Sequence, residues 1–182
     1  REICLSAVYR QQSLVRSDAA RVDADNRLLW RKSPRRLEAE TVRDALLAVA
    51  GELNLQRGGP GYLDYTEVNR SGSWSYFGAD PIGEAYQRRS VYRTWARGGR
   101  NRLLDTFDCP DPSTTAPRRP VTTTPLQALA LLHNSFTLRM AEQFAERVRR
   151  ETNGTESEQI ARAYRLAFGR LPDAAEQSLC HW

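Results

Sequence analysis

Apolar residues return at helical intervals along much of the chain, and the breaks between those runs predict where elements begin and end. Leu37, Val42, Ala45, Leu46 and Val49 fall on one face of a 3.6-residue period. Ser33 is placed to cap that helix, Pro34 suits its first turn, and Gly51 supplies a left-handed stop, so a helix is predicted near 35–50. Its Glu38, Glu40, Arg43 and Asp44 read as a solvated face with local charge pairs. Phe136, Met140, Phe144 and Val148 recur every four residues and predict a helix over 136–150, after Asn134-Ser135 breaks and recaps the chain. Thr155 with Glu158 caps a helix over 157–168, whose inward face would be Ile160, Ala163, Tyr164, Ala167 and Phe168. Gly169 stops it, and Pro172, Asp173 and Glu176 open a last helix.

A further capping box, Thr124 with Gln127 and Pro125 between them, starts a helix over 125–133. Leu126 to Leu132 is apolar nearly all round, which predicts a central place in the core. Near the start, Cys4, Val8 and Tyr9 share a helical spacing, so Ile3 to Val15 is expected to form an amphipathic helix. Asp18 to Asn26 reads as a polar loop, and Leu28-Leu29-Trp30 suits either a strand or a helical turn.

Periodicity disappears between Gly58 and about Arg89. Gly58-Gly59-Pro60-Gly61 is a turn cluster, and Tyr62, Tyr65, Trp74, Tyr76, Phe77, Tyr86, Tyr92 and Trp95 supply eight of the sixteen aromatic residues. So many rings argue against disorder. They predict a long irregular excursion pinned to the helices, with a short hairpin, or else a platform whose aromatic faces stack on sugars or bases. Ser90 to Arg97 alternates well enough to be a strand. Leu103 to Phe107 should form a brief helical turn before the rigid acidic loop Asp108-Cys109-Pro110-Asp111-Pro112 and the Thr/Pro-rich connection over 113–124. The expected fold is therefore mainly α: one irregular helical domain over 1–182, with a long aromatic-rich loop region at about 58–124 and at most a short β element.

Composition narrows the functional classes. The chain has 182 residues, 40% of them hydrophobic, and its longest apolar run is broken by Gln127, far short of the roughly 20 residues a membrane-spanning helix needs. It opens with Arg1, lacks the order of a signal peptide and stops at Trp182, so it reads as a fragment of a larger multidomain protein. A net charge of +5 invites nucleic acid, but Lys32 is the one lysine among 27 basic residues and no nucleic-acid-binding signature is present. Cys4, Cys109 and Cys180 form no paired motif and no haem attachment site; they read as buried thiols. Cys180-His181 is a poor metal pair, because adjacent side chains diverge on a helix, and no metal site is expected. No nucleophile elbow, phosphate loop or dinucleotide fingerprint appears, and His133 and His181 are the only histidines. The catalytic residues, if any exist, are unknown, and Asn153-Gly154-Thr155 reads as a turn.

Arg88, Arg89, Arg93, Arg97, Arg100 and Arg102 form the densest basic patch. Guanidinium forks bind carboxylate, sulfate and phosphate in pairs of hydrogen bonds, so the patch could hold an anion. Alternatively these arginines tie down loops by pairing with Asp80, Asp105, Asp108 and Asp111. The candidate ligand site lies where Arg88, Arg89, Arg93 and Trp95 would meet the acidic loop of Asp105, Asp108 and Asp111 and the connection carrying Arg118 and Arg119.

Several long strings carry a family resemblance: Arg88 to Trp95, Leu104 to Ser113, Pro117-Arg118-Arg119 and Thr122 to Leu129, together with Leu5 to Gln11, Asn26 to Arg31, Arg35 to Glu40 and Ala163 to Arg170. The chain resembles the planctomycete-type C-terminal domain of unknown function, found in secreted proteins that often carry a planctomycete-type cytochrome c module. The resemblance implies a helical fold, an extracytoplasmic setting (periplasmic or secreted), and upstream domains, one of which could hold haem c. It brings no catalytic residues. The leading expectation is a non-catalytic interaction or polysaccharide-associated module, whose partners would be anionic or neutral polysaccharide and the upstream domains. The alternatives are part of an oxidoreductase coupled to a c-type cytochrome, and a nucleic-acid-binding domain using the arginine patch.

Overall fold

A computed structural model describes residues 1–180. They form eight α-helices, two short 3-10 turns and one antiparallel hairpin, so the chain is mainly α with a short β element. Two compact units are separable, Arg1–Leu37 and Glu38–Trp182.

The first unit is knit by polar groups around a loop. Helix α1 covers only Glu2–Leu5 and α2 covers Ser17–Val22. The amphipathic helix expected over Ile3 to Val15 does not form. The Ser6 hydroxyl donates to the Ile3 carbonyl and accepts the Tyr9 amide, a local alternative to the helical ladder, and Ile3, Val8 and Leu14 are exposed. Part of the expected Asp18–Asn26 loop is helical instead. Leu28-Leu29-Trp30 is neither strand nor helix but a turn: Asn26 and Leu29 take left-handed φ of 57° and 56°, and the Asp23 carboxylate accepts the amides of Arg27 and Leu28. Buried Asn26 completes the loop, donating to the Arg31 carbonyl and to Ser33 Oγ, each at 2.8 Å.

In the second unit α3 spans Ala39–Ala50, later than the cap expected at Ser33, whose hydroxyl is taken by Asn26. Gly51 closes it with φ 85°, as expected. Its buried face is Ala39, Arg43, Leu47 and Ala50, with Val42, Leu46 and Val49 only half-buried beside it and Leu37 outside the helix. The hairpin pairs β1, Tyr65–Arg70, with β2, Ser73–Gly78, from Tyr65↔Gly78 to Arg70↔Ser73. Ser71 and Gly72 both have positive φ, the two-residue turn that matches the twist of paired strands. Ser90 to Arg97 is not the expected strand. Ser90–Tyr92 is a 3-10 turn, because the Ser90 amide and hydroxyl both donate to Asp44, each at 2.7 Å, and curl the chain onto α3. Extended pairing survives at one bridge, Tyr62↔Arg93. Gly61 permits that approach: a Cβ there would stand 2.6 Å from Thr94 Oγ1 and 2.8 Å from the Tyr92 carbonyl oxygen.

Helix α4, Arg102–Thr106, is capped by Asn101 and brings Leu103, Leu104 and Phe107 against Ala39. Helices α5, Pro125–His133, and α6, Ser135–Glu151, meet at Asn134, whose Oδ1 accepts the Phe136 and Thr137 amides. A second apolar cluster joins Leu47 and Ala50 to Met140, and Phe136 packs against both clusters. Helices α7, Glu156–Phe168, and α8, Ala174–Cys180, follow, with the expected Thr155–Glu158 capping box in place. The inward face expected on α7 is only half-buried, and Ala167 and Phe168 are exposed.

The expectation that α5 lies at the centre of the core is overturned. Leu126, Leu129 and Leu132 are exposed, and the buried residue is Gln127 at 3% exposure. The capping box explains the inversion: Gln127 accepts the Thr124 amide and donates to Thr122 Oγ1, so the polar side chain turns inward with its partners and the leucines flank it outward. The cysteines are corrected too, since Cys4 and Cys180 are exposed and Cys109 is half-buried. No helix of the described residues is long and apolar enough to cross a membrane.

A candidate ligand-binding cleft

Three buried arginines organise the region where the aperiodic segment meets α3. Arg43 donates to the carbonyls of Arg88 (3.0 Å) and Tyr86 and to Ser90 Oγ (3.3 Å), while its guanidinium lies over the Tyr62 and Phe136 rings. It is therefore part of the interior and not of the solvated face expected for it. Asp44, also expected there, holds Ser90, and Glu40 accepts from Arg119 at 2.7 Å. Arg88 donates to the carbonyls of Gly58 and Pro60 and stacks 4.0 Å from the Tyr92 ring centroid. Arg93 is wholly buried, bonds Asp64 and the Gly99 carbonyl, and lies 4.2 Å from the Trp95 ring centroid.

The other residues of the sequence-derived site go separate ways. Arg100 gathers Asp105 and Asp111 at 2.9 and 2.8 Å, which joins α4 to the acidic loop. Asp108, at a left-handed φ of 63°, accepts the Thr122 amide and hydroxyl. Arg119 pairs with Glu40 and Glu38 of the α3 start, and Arg89 and Arg118 are exposed. The three stretches are thus not gathered into one open surface. Arg88 and Arg93 serve carbonyls, a carboxylate and rings of their own chain.

An open cleft of about 670 Å³ lies beside this mesh. Leu126 and Leu129 of α5 give it an apolar lining, while Asp80, Asn101 and Arg102 give it polar groups, and Tyr62 also lines it. Asn101 caps α4 and donates to Asp64 at 2.7 Å, and Asp64 in turn holds Arg93, so this part of the lining is fixed by the buried ion pair. Asp80 accepts from both terminal nitrogens of Arg139, at 2.7 and 2.6 Å, and from the Ser135 hydroxyl at the start of α6. Tyr62 is 5% exposed, and its hydroxyl is turned inward, away from solvent. Burial pushes its phenol up, against the pull of the Arg43 charge.

With this geometry in place, a family model described as PSD1, protein of unknown function (DUF1553), matches residues 1–182. The chain belongs to the PSD1 family. No curated protein and no solved structure matches it.

His133, Ser135 and Asp80 of this PSD1 chain all line the cleft, yet they do not form a nucleophile relay. Ser135 donates directly to Asp80, and the Arg139 guanidinium holds the Asp80 carboxyl below its usual range, with Ser135 helping against burial. A carboxylate so stabilised is a weak base. Cys109, outside the cleft, is pushed up to about 12 by burial and by the Glu40 carboxylate, so it stays a thiol at neutral pH. Among the described residues no three His, Cys, Asp or Glu side chains converge as a metal set, and His181 lies outside the described residues.

Tyr62 belongs to the aromatic stretch that the sequence offers as a platform, whereas Arg43, Asp64, Asp80, Asn101, Leu126 and Leu129 are cleft residues that sequence reasoning passed over as a site. A signal existed for one of them. Arg43 stands four residues from Ala39 and four from Leu47, in register with the buried face of α3.

Proposed function

We propose that this PSD1 domain is a non-catalytic binding module whose ligand is a polysaccharide segment held in the cleft of Tyr62, Asp80, Asn101, Leu126 and Leu129. The observation that carries the reading is the combination of an apolar α5 lining with polar groups already bonded to one another. A sugar ring presents C–H faces beside a rim of hydroxyls, and such a mixed surface suits a lining of both kinds. Preorganised acceptors lose little entropy on binding, which favours recognition. Asp80 and Ser135 are bonded to one another and Asp80 to Arg139, so neither is activated as a base or nucleophile, and this supports binding in preference to turnover.

Titration of the whole chain with neutral, carboxylated and sulfated oligosaccharides, followed by amide chemical shifts, tests the reading. Shifts grouped at residues 101–106 and 126–136, with no release of new reducing ends, are expected. Shifts confined to the exposed rings Trp74 and Phe77, or cleavage of the oligosaccharide, would overturn it.

A further inference from the structure

The charges around the cleft do not balance, and the imbalance bears on ligand class. Asp64 is matched by Arg93 and Asp80 by Arg139. Arg43 is spent on two carbonyls and the Ser90 hydroxyl, with the Asp44 carboxylate 3.6 Å away. Arg102 also lines the cleft, is exposed, and has no ion-pair or side-chain hydrogen-bond partner among the described residues. One guanidinium is therefore left over where both local carboxylates are already neutralised. Leu126 and Leu129 line the same cleft.

Resting on the polysaccharide reading above, we propose that the ligand is anionic, with a carboxylate or sulfate ester taken by the Arg102 guanidinium. A guanidinium fork offers paired donors to either group. The apolar face of the adjoining ring lies along Leu126 and Leu129. Arg102 sits at the start of α4, outside the buried clusters, so it can be exchanged without removing a core contact.

Calorimetric titration of the whole chain and of its Arg102→Gln variant tests this. The probes are an oligogalacturonate, a sulfated galactan oligomer and an uncharged galactan oligomer of equal length. The original chain should bind at least one charged oligomer more tightly than the neutral one, with affinity falling as salt rises. Arg102→Gln should weaken that binding about tenfold, the scale of one charge-assisted contact, and weaken neutral binding less, so that the preference for the charged oligomer falls. Which charged oligomer responds separates carboxylate from sulfate. Equal affinity for charged and neutral oligomers, unaltered by Arg102→Gln, overturns the anionic assignment while the cleft reading stands. Failure of all three oligomers to bind overturns both.

Discussion

Arg93 and Asp64 form an ion pair with almost no access to water: Nε reaches Oδ1 at 2.8 Å and Oδ2 at 2.9 Å, and the arginine side chain is 0% exposed. The same carboxylate accepts from Asn101, the cap of α4, so the pair links the Tyr62–Arg93 bridge to the cleft. Removing one partner of a buried pair leaves an uncompensated charge, which costs about 3–5 kcal/mol. Asp64→Ala and Arg93→Ala should each lower stability by that order in urea unfolding. Near-additive losses in the double variant would show that the two side chains do not act as a pair.

Gly61 sets how closely the aperiodic segment approaches Tyr92 and Thr94. Gly61→Ala places a carbon against a backbone oxygen that cannot rotate away, so a loss of about 1–3 kcal/mol is expected from overpacking. Thermal melting monitored by circular dichroism would detect it.

The leucines of α5 and α4 should behave oppositely despite their shared chemistry. Leu104 is 1% exposed and packs within the Ala39 cluster, so Leu104→Ala should cost about 2–5 kcal/mol. Leu126→Ala and Leu132→Ala, at exposed positions, should change stability by no more than about 0.5 kcal/mol. A large loss at Leu132 would return α5 to the core.

The pH dependence has two limbs of known sign. Arg139 holds Asp80 below its ordinary value, and Arg119 holds Glu40 below its own despite burial. These groups bind protons more weakly when folded, so their stabilisation is present above about pH 4 to 5 and is lost as pH falls. Cys109 is the reverse, raised from 9.0 to about 12. Its contribution is intact below pH 9 and is lost as pH rises towards 12. In alkylation of the folded chain at pH 8, Cys4 and Cys180 should react first and Cys109 last, as peptide mapping would show.

What the sequence discloses follows how local the cause is. Gly51, Asn134, Thr155 with Glu158, and the possibility of a hairpin are legible because a cap or turn is settled within a few residues. The burial of α5 is not, since an apolar helix reads the same whether it is covered or not, and only the Gln127 bonds reveal which side turned inward. Arg43 looked solvated because burying a guanidinium requires acceptors, and these come from Tyr86 and Arg88, more than forty positions later. Asp64 and Tyr62 lie in an aperiodic stretch where no spacing rule places a side chain. The arginine patch was visible as composition, but its division between buried struts and exposed Arg102 depends on tertiary pairing.

Hydrogen exchange of the whole chain, with and without saturating oligogalacturonate, sulfated galactan or galactan oligomers, tests the cleft most directly. New protection concentrated at residues 101–106, at 126–136 and around Asp80 is expected from at least one of the three. Protection confined to the Trp74 hairpin or to the segments of Arg89 and Arg118, or no protection from any oligomer, would contradict it.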